Sequence, residues 1–575
     1  MKDLKHFVRV AQGAEAAGLV LKNAEVFHAF TGEFIRCDIA IEDGRVAGVG
    51  NYTGLREVEL AGRYVTPGFL DGHVHIESSM LSPYEFSRAV VPTGTTSVVA
   101  DPHEIANVAG TRGLEYMMRA TEHIPLTVYF MLPSCVPSTE LEDSGAVLTA
   151  QDLAPFLQRD RVLGLAEMMN AAGVLNGDPA VYDKLAIADS YLVDGHAPGI
   201  MGSSLMGYAA AGIRSDHECV TKEQALGRLR AGMHLMLREG SAAKNLRALL
   251  PIINADTAQF CFFVTDDRHP ADLLSEGHIN HMVRLAIEEG LPVATALQMA
   301  TINTARYFGL QDVGAIAPHY KADLLVFDDL SNWQPSMVFK EGQLVADHGI
   351  MLGEGEDVPA AGVEDTVHVS PVDAGDIRIP LALGDANVIG LVPYQILTKK
   401  LRISVPVKDG AAQISPEEDL LKLAVFERHH ATGRVSAALV KGFGLKHGAI
   451  ASTIAHDSHN LIVIGASDED ILTAARELER SGGGIVVVDD GKVVGEAALP
   501  IAGLMSKLSA REVAETVGRL KALAYEMGVY EYYDPFLTLA FLSLPVIPEL
   551  KLTDKGLVDV ETFQIIPVEA PEAMM

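Results

Sequence analysis

Positive charge and cysteine are both scarce in this sequence. Lys and Arg number 45 against 76 Asp and Glu, a net charge of −31. Phosphate backbones need stripes of Lys and Arg, so this balance argues against a nucleic-acid partner and reads as an acidic, solubilising surface. The four cysteines (Cys37, Cys135, Cys219, Cys261) are widely spaced and form no CxxC, which points to reduced thiols in a cytoplasmic protein rather than a disulfide frame. A run of about eighteen apolar residues is missing, which argues against a membrane span. Residues 1–13 lack the apolar core of a signal peptide. What is present is ordinary for a protein with a large core: 48% hydrophobic and 21% charged residues. At 575 residues, the chain has room for roughly three or four domains.

From residue 64 to 309 the chain alternates short β-rich runs with helical stretches. The runs lie at 64–75, 95–104, 126–133, 161–169, 191–196, 212–218, 234–239 and 260–267, with helix-like segments such as 180–189, 222–231 and 277–289 between them. Eight β/α units suit a (β/α)8 TIM-type barrel. A doubly wound sheet would also alternate, but polar residues gather at the C-terminal ends of many different runs, where barrels build their sites. The flanks read as strand-turn-strand, with Asp43-Gly44 a strong hairpin signal. Residues 1–65 and 313–352 are therefore expected to form one small β-sandwich-like domain from both ends, around a barrel at 66–312. A Gly-, Pro- and acid-rich linker at 353–362 leads to an additional C-terminal α/β domain at 366–575, with a helix at 468–481.

The chemistry begins at Gly72-His73-Val74-His75. Histidines at i and i+2 on a strand point the same way, so both imidazoles reach one cation. Further candidates stand at later run ends: Glu167, His196, His217 and Asp266. Six ligands exceed what one catalytic cation with an open position uses. They suit two divalent ions, His73, His75 and Asp266 on one, His196 and His217 on the other, with Glu167 bridging; a mononuclear site is the alternative. Two such ions can share a hydroxide and bring its pKa toward roughly 7, and Asp266 beside it can move the proton. Glu77, Asp101 and Glu104 lie on the same rim. They can accept N–H groups of a basic heterocycle or shuttle protons, or else cap loops and support the histidines. Arg238 and Glu239 read as an internal ion pair.

The strings PGFLDGHVHIESSM at 67–80, ADPHEIANV at 100–108, GLAEMM at 164–169, DGHAPG at 194–199, REGSAA at 238–243 and TDDR at 265–268 carry a resemblance. On them the chain resembles the adenine deaminases of the metal-dependent amidohydrolase superfamily, over nearly its whole length. The resemblance implies hydrolysis of adenine to hypoxanthine and ammonia by a metal-activated hydroxide, with manganese or iron preferred and zinc an option. Asp266 would then act as the catalytic base, and Glu77 or Asp101 would keep the ring nitrogen protonated. Hydantoinase and dihydroorotase relatives often use a carboxylated lysine on strand four, where this chain has Glu167. The loop Ile200-Met201-Gly202-Ser203-Ser204 lacks an acid found in some relatives. Another amidohydrolase, such as a cyclic-amide hydrolase or deacetylase, is the enzymatic alternative. A metal-binding scaffold protein is the non-enzymatic one, disfavoured because all six ligands are present. His456 and His459, in His456-Asp457-Ser458-His459-Asn460, could lid the barrel mouth, bind a further metal, or form a plain hydrogen-bonded turn. A homo-oligomer is the ordinary expectation.

Overall fold

The computed structural model describes residues 3–570 apart from 354, 356 and 383. Two residues of the expected linker and the tips of the outer domain ranges, 1–2 and 571–575, thus lie outside the described residues. Among the described residues no helix is long and apolar enough to cross a membrane.

The barrel has eight parallel strands: Phe69–Val74, Thr95–Ala100, Thr127–Leu132, Val162–Met168, Leu192–Gly195, Ser215–Asp216, His234–Arg238 and Cys261–Val264. Strands one to five hydrogen-bond in chain order, as do six to eight. The Arg214 N–H donates to the Val193 carbonyl and joins strand five to six. The Asp266 N–H donates to the His73 carbonyl and brings the end of strand eight to strand one. Closure rules out the doubly wound alternative. Val99, Tyr129, Met131, Ala166, Met236, Phe262 and Val264, from strands two, three, four, seven and eight, fill the interior.

The seam between strands one and eight is tied by a buried carboxylate. Asp71 Oδ1 accepts the N–H groups of His73 and Thr265, each at 3.2 Å, and Oδ2 accepts the Thr265 hydroxyl. His278 Nε2 lies 3.1 Å from Asp71 Oδ2, and its Nδ1 lies 2.8 Å from Thr95 Oγ1. All four side chains are buried.

Run six, expected over 212–218, is a strand only at Ser215–Asp216. Asp216 ends it: its Oδ1 accepts from the Glu218 and Ala197 N–H groups and its Oδ2 from Arg228 Nε at 2.7 Å. The chain therefore turns at once, and His217 leaves the strand.

Both flanks share one nine-stranded sheet. Tyr64–Pro67 pairs antiparallel with Leu324–Phe327, and the sheet runs outward to Arg45–Gly50 on one side and Ile350–Met351 on the other. It curls until the Val46 N–H meets the Tyr320 carbonyl and the Ala322 N–H meets the Gly44 carbonyl. Ile39, Val46, Val65, Leu324 and Phe339 fill the fold. Asp43 and Gly44 take φ of 47° and 75°, the geometry an Asp-Gly hairpin turn demands.

The C-terminal region is an eight-stranded, mostly antiparallel sheet from Thr398–Ser404 to Lys492–Ala498. The helix Asp468–Ser481 packs on it, started by the Ser467 cap and stopped by Gly482 at φ 78°. This region docks on the barrel's C-terminal face. Ser506 exchanges backbone hydrogen bonds with Met80 and Ser82, after strand one. The long connection after strand three meets Asp554, which accepts the Asp143 N–H, and Thr553, which donates to the Leu141 carbonyl.

Gly195 ends strand five where strand six comes closest. A Cβ there would sit 2.3 Å from the Ser215 carbonyl oxygen. Gly195→Ala is expected to push the two strands apart and cost about 1–3 kcal/mol of stability. Denaturant unfolding of the purified variant checks it.

Candidate active site

The strand ends bring four imidazoles and two carboxylates into one buried cluster. Glu167, near the end of strand four, stands in the middle with its two oxygens facing different partners. Oε1 lies 3.8 Å from His73 Nε2 and 3.4 Å from His75 Nε2. Oε2 lies 2.8 Å from His196 Nδ1 and 3.3 Å from His217 Nε2. Asp266, just past strand eight in a left-handed conformation (φ 59°), puts Oδ1 at 3.0 Å from His75 Nε2 and 3.5 Å from His73 Nε2. The six expected ligands therefore converge, from strands one, four, five, six and eight.

The tautomers indicate what the cluster is built to hold. His75 donates Nδ1–H to the Asp101 carbonyl at 3.0 Å, and its Nε2 faces two carboxylate oxygens. His73 Nε2 is buried without a hydrogen-bond partner. His196 Nδ1 and His217 Nε2 face each other at 3.3 Å. Lone pairs turned toward one another in a buried site repel unless a proton or cation lies between them. A second ring nitrogen pinned by a carbonyl is the usual support of a metal-ligating histidine. Nitrogen and carboxylate donors of this kind fit divalent first-row ions. Burial opposes charge on both sides, yet the pairing wins. His196 and His217 hold Glu167 well below the ordinary carboxylate range against its burial, and Glu218 and Glu167 carry His196 up to about 9 against its own.

Several members were not read from the sequence. Glu218 Oε1 lies 3.4 Å from His217 Nε2 and 3.7 Å from His196 Nδ1. Arg238 does not pair with Glu239. Its Nη1 bridges Glu218 and Asp266 Oδ2, the latter at 2.8 Å, while Glu239 accepts the Leu246 N–H. The correction has a simple cause: adjacent residues on a strand point to opposite sides. His103 Nδ1 lies 3.1 Å from Asp101 Oδ2 and 3.5 Å from Glu167 Oε1. Its signal, one residue before Glu104 in the string at 100–108, was available.

The three extra acids differ in their surroundings. Glu77 accepts the Ile105 N–H through Oε1, and its Oε2 is buried without a partner. Burial, with the nearby Glu104 charge, pushes its pKa to about 7. Asp101 keeps Oδ1 buried and unpartnered. Glu104 is taken up on both oxygens by the C-terminal region: Oε1 is 3.0 Å from His456 Nδ1, and His459 Nε2 meets Oε2. Asp457, in the same loop, is buried with Oδ2 unpartnered. Bare, buried acceptor oxygens suit a ligand rich in N–H donors.

Comparison with known proteins bears on this geometry. The amidohydrolase family model matches residues 64–374, and the adenine deaminase C-terminal domain matches 395–564. The chain is 57% identical over 568 residues to adenine deaminase 2 of Carboxydothermus hydrogenoformans, covering 99% of this chain and 100% of that one. It is 47% identical over 568 residues to an adenine deaminase of Nitratidesulfovibrio vulgaris (98% and 99% covered) and 46% identical over 570 residues to one of Clostridium acetobutylicum (98% and 100%).

Arg238→Gln removes the cation that Asp266 and Glu218 share. Breaking a buried ion pair costs about 3–5 kcal/mol, so the metal-free variant should unfold at clearly lower urea. Burial alone would raise both carboxylates, and Arg238 helps to hold them down. Depressed carboxylates add stability above their unfolded pKa that is lost as pH falls through the folded one. Acid unfolding of the variant should therefore begin at higher pH than in the parent protein, as circular dichroism against pH would register.

Proposed function

The chain belongs to the amidohydrolase family, in its adenine deaminase branch, and we propose that the strand-end cluster carries out hydrolytic deamination of adenine to hypoxanthine and ammonia on two divalent ions. The observation that carries the site assignment is the pairing of Glu167: one carboxylate between two histidine groups, each with ring nitrogens turned inward. His73, His75 and Asp266 would hold one ion, His196 and His217 the other, and Glu167 both. Manganese or iron suits this nitrogen and oxygen set. When bound, such ions lower the pKa of water and supply a nucleophile at neutral pH.

The chain's own groups handle protons and orientation. Asp266 takes the proton of the attacking water and passes it to the exocyclic amino group, which leaves as ammonia. Arg238 fixes the Asp266 carboxylate through Oδ2, so Oδ1 keeps its direction. Glu77, poised near neutrality, has a bare Oε2 with which to protonate a ring nitrogen, so that negative charge does not build up on the purine as water adds at C6. Asp101, with Oδ1 free, accepts a ring N–H. The net reaction consumes one water and releases one ammonia: one water proton leaves with the amine through Asp266, and the other, released as the C6 carbonyl forms, restores the proton of Glu77. Glu167, where hydantoinase and dihydroorotase relatives often use a carboxylated lysine, favours this reading over cyclic-amide hydrolysis.

The test is ammonia release from adenine by protein prepared with manganese, with hypoxanthine as co-product and a chelator abolishing both. Asp266→Asn should lower kcat by about a hundredfold or more while the protein keeps its melting temperature and bound metal. A cyclic amide turned over in place of adenine would retain the metal centre and overturn the substrate.

A further inference from the structure

Glu104 belongs to the barrel, yet both its oxygens are engaged by a loop some 350 residues later in the chain. We propose that His459 is a positioning residue for the deamination reaction, donated by the C-terminal region, which fixes Glu104 beside His103 at the mouth of the barrel. The inference rests on the function proposed above.

The direction of the hydrogen bond is set by the backbone. The Ala455 N–H donates to His459 Nδ1 at 3.2 Å, so Nδ1 carries a lone pair and the ring proton is on Nε2. Nε2 then donates to Glu104 Oε2. The same tautomer argues against a third cation held by Glu104, His456 and His459, since Nε2 has no lone pair to give. His459 is 1% exposed, and burial, despite Glu104, pushes its pKa down to about 4, which keeps the ring neutral.

The loop is built to hold this pose. Arg428, fully buried, donates to the carbonyls of His459, Ala502 and Thr366. His429 Nε2 bonds the Ser458 carbonyl, and Asn460 donates to the Asp143 carbonyl on the barrel side. Such over-determination marks a side chain kept for its aim. Beyond Glu104 the contacts lead inward. Glu104 Oε1 lies 3.6 Å from His103 Nε2, and His103 Nδ1 reaches Asp101 and Glu167. Without His459, Glu104 keeps only its His456 contact and can swing from His103.

Two amides separate the donor from the loop's own contact. Asn at 459 can still accept the Ala455 N–H but is too short to reach Glu104; Gln reaches Glu104 with an N–H. His459→Asn should raise KM for adenine about tenfold, the loss of one hydrogen bond to a charged group, with kcat changed far less and bound metal unchanged. His459→Gln should restore KM to within about threefold of the parent value, on the same scale. Glu104→Gln, which leaves the loop contacts intact, should raise KM comparably, and adding His459→Asn to it should cost nothing more. Hydrogen exchange in the helix at 103–109 should quicken in His459→Asn whatever the substrate, so failure of this inference is distinguishable from failure of the adenine assignment. Parental KM in His459→Asn or Glu104→Gln, additive losses in the double variant, unchanged exchange, or loss of a metal ion from His459→Asn would each overturn it.

Discussion

The barrel closes over Asp71. This side chain accepts hydrogen bonds from strand one and from the end of strand eight, and it is the point at which the first and last members of the cluster are brought into register. His73 is two residues from it along one strand, and Asp266 follows Thr265 just past the other. Every other member is placed by strands whose order is counted from that seam. A carboxyl group buried this deeply is tolerated because its oxygens meet donors. The price is that Thr95, Thr265 and His278 must also be buried and mutually arranged.

The same logic governs the charge of the site. Glu167 and Asp266 are buried and Glu218 half-buried among imidazoles, and Arg238 contributes a fixed positive charge next to them. Protons on histidines can balance the rest, but each ring nitrogen so used is lost as a ligand. Divalent cations would resolve the conflict, because they bind neutral rings and ionised carboxylates together. The acids outside the cluster serve another end. Glu77 and Asp101 retain an oxygen without a partner, and such groups stay buried when a substrate's N–H groups complete them.

Much of this was legible in the sequence because it follows from short-range rules. Period-two alternation aimed His73 and His75 together. Asp43-Gly44 specified its turn, and the helix expected at 468–481 stands at Asp468–Ser481. Contacts made by loops were not legible. Arg238 was paired with its neighbour Glu239 because nothing local reveals that Glu218 and Asp266 stand on its side of the barrel. Strand six is shorter than expected because Asp216 ends it through Arg228 and Ala197, residues brought in by the fold. The meeting of His459 with Glu104 depends on how a separate sheet docks on the rim, and no periodicity in either segment encodes that.

The sheet shared by the two flanks has a bearing on how the chain comes off the ribosome. Tyr64–Pro67 is made early, and its partner Leu324–Phe327 appears only after the whole barrel has been synthesised. Until then the N-terminal strands present an unpaired edge, the kind of surface on which chains stick to one another. The growing chain therefore has to carry an open seam through the synthesis of its catalytic barrel, and the last strands to join that sheet act as its clasp.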